Sequence, residues 1–232
     1  MRFGIAVFPG TWSDTDCHYV VADILGQQAE YVWHQETSLE GYDCVILPGG
    51  FSYGDYLRPG AMAGLSPVME SLRDYANTGG LVIGICNGFQ VLCEAGLLPG
   101  ALLRNRHLEY SCQWTYLRTE RTNTPFSSRC QTGQILQVPV SHGEGNYFAD
   151  KVTLDRLEQD GQVLFRYCEP DGEITDSANP NGSARNIAGI TNEAGNILGM
   201  MPHPERSCEA ILGSEDGNLI FQSIIDLSLI HI

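Results

Sequence analysis

A chain of 232 residues, 43% hydrophobic and 18% charged, is long and apolar enough to bury one sizeable core. Its 28 acidic against 13 basic residues give a formal net charge of -15. That disfavours nucleic acid or an anionic membrane surface as the main partner and gives no help in binding polyphosphate. The eight cysteines are scattered with no CxxC pair, so they read as reduced thiols and not as a disulfide or zinc framework. No apolar run approaches the ~20 residues of a bilayer span, and the N-terminal MRFGIAVFPG reads as a first strand, not a signal peptide. A cytoplasmic protein without metal, of one domain over 1–232, is the expectation.

The chain begins with an apolar strand over 3–8, turned by Pro9-Gly10. Ser13 or Asp14 caps a helix over about 15–25 with Val20, Val21, Ile24 and Leu25 on its buried side. Strands follow at 30–34 and 44–47, the second fully apolar and stopped by Pro48-Gly49-Gly50. A long polar loop covers 51–64. Ser66-Pro67 opens a helix to about Asn77, and 81–85 is the next strand. Strand-helix alternation of this kind predicts an α/β fold, an open and mostly parallel sheet with helices on both faces. Past about Arg104 the rhythm turns β-rich. Strands are expected at 112–117, 134–140 and 163–167, with a hairpin of 187–191 and 197–201 around Asn192–Asn196. The tail, 219–229, reads as an amphipathic or buried helix.

Chemistry concentrates in three places. Val82-Ile83-Gly84-Ile85-Cys86-Asn87-Gly88-Phe89-Gln90 has the layout of a nucleophile elbow, in which Gly84 and Gly88 remove side chains that would collide around a strained Cys86. Cys86 then sits at a helix N-terminus, where the dipole and free N–H groups favour a thiolate and an oxyanion. A buried cysteine in a tight βα turn fits the same stretch. In Met200-Met201-Pro202-His203-Pro204-Glu205 the prolines hold His203 extended, so His203 and Glu205, two apart, face one site. A thiolate needs such a base and a group that orients it. Gly50, ending a buried strand at the same sheet edge, offers a backbone N–H to an oxyanion alongside that of Asn87. Ser141-His142-Gly143-Glu144-Gly145 is a loop suited to a small polar ligand, or a plain glycine-rich turn. His18, His34, His107 and His231 carry less. No GxxxxGK[ST] run and no GxGxxG after a strand occurs. Asn181-Gly182-Ser183 matches a glycosylation sequon, which has no meaning in a cytosolic chain.

Taken together, PGG at 48–50, GICNGFQ at 84–90 and PHPE at 202–205 resemble the class I, triad-type glutamine amidotransferases, whose fold is flavodoxin-like. FSYGDYLR at 51–58, GICNGFQ and HGEG at 142–145 are similar to the branch of that family serving phosphoribosylformylglycinamidine synthase in purine biosynthesis. The resemblance implies a glutaminase with Cys86 as nucleophile, His203 as acid and base, and Glu205 orienting it. Gly50 and Asn87 would hold the oxyanion, and Phe51, Gln90, His142, Gly143 and Gly145 would line the glutamine pocket. It implies no cofactor in this chain, with ATP and Mg on the partner. The partners would be a PurL-type synthetase subunit and a small PurS-type subunit. Tyr53, Asp55 and Arg58 mark the loop expected to couple the two activities. Pro59 departs from the small residue expected there, and 118–133 and the tail match no motif. A glutaminase of pyridoxal phosphate or GMP synthesis, or a cysteine hydrolase of similar fold, is the alternative.

Overall fold

Short apolar runs alternating with helical stretches build the first half as their spacing predicts. In a computed structural model that describes residues 1–230, with side chains described through Asp226, β1 (Arg2–Val7) leads to α1 (Asp14–Tyr19) and β2 (Gln28–Trp33). Then come β3 (Cys44–Leu47), α2 (Pro67–Asn77), β4 (Leu81–Ile85) and α3 (Asn87–Glu94). β3 and β4 are buried at every position, as strands covered on both faces must be. Helix α1 is shorter than its pattern suggests. It stops at Tyr19 and continues over Val20–Ile24 in wider π-type turns, which keep Cys17, Val20 and Val21 all buried.

The second half adds β5 (Ala101–Leu103), β6 (Ser111–Thr119), β7 (Ile135–His142), β8 (Asn146–Phe148) and α4 (Lys151–Gln159). It ends with β9 (Val163–Cys168), β10 (Ile187–Thr191), β11 (Ile197–Met200) and α5 (Gly217–Ile230). The tail helix and the hairpin lie where expected, while His231 is outside the described residues. The β5–β8 ribbon and α4 have no counterpart in the sequence reading. Asp150 caps α4 by accepting the Thr153 N–H at 2.7 Å, but only Leu157 is buried, so the helix carries little apolar periodicity.

One nine-stranded sheet takes strands from both halves, in the order β2-β1-β3-β4-β11-β10-β9-β6-β7. Strands β2 to β11 in that order pair in parallel, and the rest pair antiparallel. Following the pairings, only β10 and β6 run against the others. The order reverses at β1 and β3. β1-α1-β2 moves one way and β3-α2-β4 the other, so right-handed crossovers place α1 and α2 on opposite faces. Ligands favour the carboxyl edge at such a reversal. The carboxyl ends of β1, β3, β4, β11 and β7 all lie on that edge.

β7 is five positions from β4, about 24 Å along a flat sheet at ~4.8 Å per strand. Yet the Cys86 thiol, just past β4, lies 3.6 Å from the carbonyl of Ser141 on β7. The antiparallel half therefore curls back over the parallel half, and the chemistry sits in the fold of that curl.

Candidate active site

Strand β4 ends where Cys86 turns the chain into α3. Cys86 has φ 51° and ψ -106°, a backbone conformation that costs a non-glycine residue about 1–3 kcal/mol. The flanking glycines make this turn possible. A Cβ on Gly88 would stand 1.9 Å from the carbonyl oxygen of Leu47, and one on Gly84 2.7 Å from that of Gly88. The turn is held from the far side, because the Cys86 N–H donates to Met200 O at 2.8 Å. The first N–H groups of α3, that of Asn87 among them, have no partner within the helix.

β11 delivers the second group. Past Met200 the chain is pinned where the His203 N–H donates to Pro139 O of β7 at 2.8 Å. Nδ1 of His203 lies 2.5 Å from Oε1 of Glu205, with both side chains buried. The segment is not extended through Glu205, as its spacing suggested. Pro204–Arg206 forms a single 3-10 turn, and the two side chains meet across it. Nε2 of His203 is buried, and the group it answers to is the Cys86 sulfur. Burial pulls the imidazole toward its neutral form, but the charges of Glu205 and the Cys86 sulfur outweigh that and push His203 up to about 10. Cys86 is thus within electrostatic reach of a base that carries its own carboxylate.

β3 delivers the third. The carbonyl of Gly49 accepts two N–H groups, from Trp12 at 3.1 Å and Ser13 at 3.0 Å. A trans peptide points its C=O and N–H in opposite directions. Fixing the Gly49 carbonyl therefore fixes the Gly50 N–H, which donates to no backbone carbonyl. Space here is tight. A Cβ on Gly49 would meet Cε1 of His203 at 2.7 Å and Cβ of Cys86 at 3.4 Å.

A pocket of about 230 Å³ opens between these elements, small beside the ~300–1,000 Å³ of drug-sized sites. Cys86, His203 and Gly50 line it, as do Phe51, Gln90, His142 and Gly143 from the sequence reading. Gly145 stands behind that wall. Its N–H donates to Asn105, and the His142 ring fills the place of its missing Cβ. Gln90 holds the walls together: it accepts from Asn87 at 2.9 Å and donates to Glu144 O at 2.7 Å, while Asn87 accepts the Ser52 N–H at 3.2 Å. Of the 51–58 loop, Asp55 reaches the pocket, but Tyr53 is tied to His34 at 3.0 Å and Arg58 to Glu94 at 2.7 Å.

Several lining or supporting residues were not read from the sequence as part of the site. Ser13 and Arg206 line the pocket and bond to each other at 2.8 Å, with Arg206 also on Asp16. Asn181, inside the discounted sequon, is fully buried and donates to Nε2 of His142 at 3.0 Å. Its own carbonyl accepts from Ser183, which fixes the amide's orientation. Burial, together with the charges of His203 and His107, drives His142 down to about 3, so it is neutral. Among the described residues no group of three His, Cys, Asp or Glu is arranged for a metal, and no helix is long and apolar enough to cross a membrane.

Comparison with known proteins places this geometry. Residues 1–218 match the CobB/CobQ-like glutamine amidotransferase domain family. The chain belongs to that family. This amidotransferase is 58% identical over 226 residues to the phosphoribosylformylglycinamidine synthase subunit PurQ of Moorella thermoacetica, covering 97% of this chain and 96% of that one. It is 56% identical to the corresponding subunit of Symbiobacterium thermophilum, over 97% and 96% of the two chains. Among solved structures it is similar to a chain of PurLQS from Thermotoga maritima. The identity is 40%, the TM-score 0.86, and the coverage 97% and 98%. The α/β fold is that expected from the alternation of strands and helices, and the amidotransferase family is that implied by the motif resemblance.

Proposed function

We propose that the chain is the glutaminase subunit of a phosphoribosylformylglycinamidine synthase. It hydrolyses glutamine to glutamate and ammonia and hands the ammonia to a synthetase partner in purine biosynthesis. Membership of the amidotransferase family and near full-length identity to PurQ subunits support the activity. Likeness to a chain of PurLQS supports PurL-type and PurS-type partners. The single observation that carries the chemistry is the buried Nδ1–Oε1 contact of 2.5 Å between His203 and Glu205, with Cys86 alongside.

Cys86 Sγ attacks the side-chain amide carbon, and the N–H groups of Gly50 and Asn87 receive the oxyanion, each such donor worth about 2.7–4 kcal/mol of barrier. The imidazole of His203, holding the thiol proton, passes it to the departing nitrogen as the C–N bond breaks, so ammonia leaves and a thioester remains. Water then gives a proton to His203 and its oxygen to the acyl carbon, and the thiolate departs. Glu205 keeps the imidazole oriented throughout. Phe51, Gln90, His142 and Gly143 shape the pocket, with Gly145 bracing it. The loop carrying Tyr53, Asp55 and Arg58, with its left-handed residues Tyr53, Gly54 and Asp55, is the element through which a partner alters the pocket. ATP and Mg belong to the synthetase. The chain works as one domain in the cytoplasm.

The test is Cys86→Ser in the assembled synthase. Glutamine-dependent synthesis falls by about 10⁴-fold or more, while synthesis driven by added ammonia is kept. Loss of both in a folded complex overturns the division of labour.

A further inference from the structure

The pocket holds more charge than the triad uses. Asp55 and Glu144 both line it, and they are close enough for Glu144 to act electrostatically on Asp55. Glu144 has a partner, Arg104, at 3.6 Å. Asp55 has none: Oδ1 is buried without a hydrogen bond, and the carboxylate enters no salt bridge. A partly buried carboxylate without a cation or donor is unfavourable by some kcal/mol, a cost that a bound cationic group removes. The same pocket wall independently carries a second buried polar atom without a hydrogen-bond partner, Nδ1 of His142, a residue only 3% exposed. The arginines of the pocket wall and the adjoining segments are otherwise spoken for. Arg58 is held by Glu94, Arg104 by Glu144, and Arg206 by Ser13 and Asp16.

Given the glutaminase reading, on which this step rests, the amide end of the substrate is fixed at Cys86. An amino acid whose side-chain amide lies there still has to place an α-ammonium, and neutral backbone alone would leave that charge poorly matched. We propose that Asp55, with Glu144 beside it, is the subsite for the α-ammonium of the substrate amino acid. Asp55 is then a specificity residue as well as part of a partner-responsive loop. It separates free glutamine from amides that lack a free amino group, such as glutaminyl side chains in acylated or peptide form. A loop that moves Asp55 also moves the substrate's anchor, so a partner pressing on that loop acts first on substrate affinity.

The experiment compares L-glutamine with 4-carbamoylbutanoate, the same amide without the amino group, in the assembled synthase. The second compound is followed as substrate or, where turnover is too slow, as competitive inhibitor. Asp55→Asn raises KM for glutamine about 10- to 100-fold and changes kcat less than threefold. It leaves the desamino compound's KM or inhibition constant within twofold, so the wild-type preference for glutamine disappears. Where Asp55→Asn does not fold, Glu144→Gln on the same wall reads the same way, with a several-fold rise confined to glutamine. Equal loss with both compounds assigns Asp55 a merely structural role and overturns the proposal, as does no change with either. Failure of the unsubstituted synthase to use glutamine overturns the glutaminase reading instead.

Discussion

Two buried histidines stand on one pocket, one charged and one neutral. His203, past β11, is pushed up to about 10, and His142, at the end of β7, down to about 3. Burial acts on both in the same direction, favouring the neutral ring. What separates them is the partner. His203 meets a buried carboxylate and a sulfur, whereas His142 meets only the amide of Asn181. A histidine's role at such a site is therefore set by the group across the hydrogen bond and not by its depth. The neutral one is a brace, and in the proposed mechanism the charged one moves protons.

The strongest way to break this contrast is to remove each partner in turn. Glu205→Gln keeps the shape and removes the charge, and glutaminase turnover should fall by about 10⁴-fold, as when a triad carboxylate is made an amide. Asn181→Ala should instead leave turnover within about tenfold and lower unfolding stability by about 1–3 kcal/mol, because Nε2 of His142 loses its donor. Equal effects on turnover would place His142 in the chemistry. Next in size is Gly49→Ala. Its methyl would lie 2.7 Å from His203 Cε1, and displacing the ring should cost about 10²-fold in kcat with the melting temperature little changed.

The gentlest probe is pH. The folded state holds the His203 proton more tightly than the unfolded chain, whose histidines titrate near 6.5. Its contribution is complete below that pH and is lost as pH rises toward about 10. For His142 the folded state refuses a proton that the unfolded chain accepts, so stability falls as pH drops from about 6.5 toward 3. Denaturant titrations across pH should show Glu205→Gln flattening the alkaline limb and His142→Gln the acid limb. A limb unchanged by its substitution would remove that histidine from the account.

Much of this was legible in the sequence where one residue type had no substitute. Gly84 and Gly88 around Cys86 announce a turn that no other residue fits, and fully apolar β3 and β4 announce strands covered on both faces. Family motifs then supplied roles for His203 and Glu205. What stayed hidden depends on contacts far apart in the chain. Ser13 matters because β1 ends beside Gly49, and Asn181 because it bridges His142 of β7 and Tyr167 of β9, the two strands that flank β6. Neither residue type is unusual in its local setting. Helix α4 was missed because nearly all of it faces water. The 3-10 turn at Pro204–Arg206 was missed because alternating prolines suggest extension, whereas the Arg206 and Ser207 N–H groups close the turn on the carbonyls of His203 and Pro204, each at 3.1 Å.

The curl that brings Ser141 to Cys86 also has a consequence for when the thiol becomes active. The residue at position 86 rests its thiol against the carbonyl of position 141, has its backbone held by the carbonyl of position 200 and takes its proposed base from position 203. A chain still emerging from the ribosome, or one cut short before His203, holds the proposed nucleophile without its base. Contacts so distant in sequence form late. On the proposed mechanism glutamine is therefore safe from this cysteine until the chain has been made past His203 and wound into place.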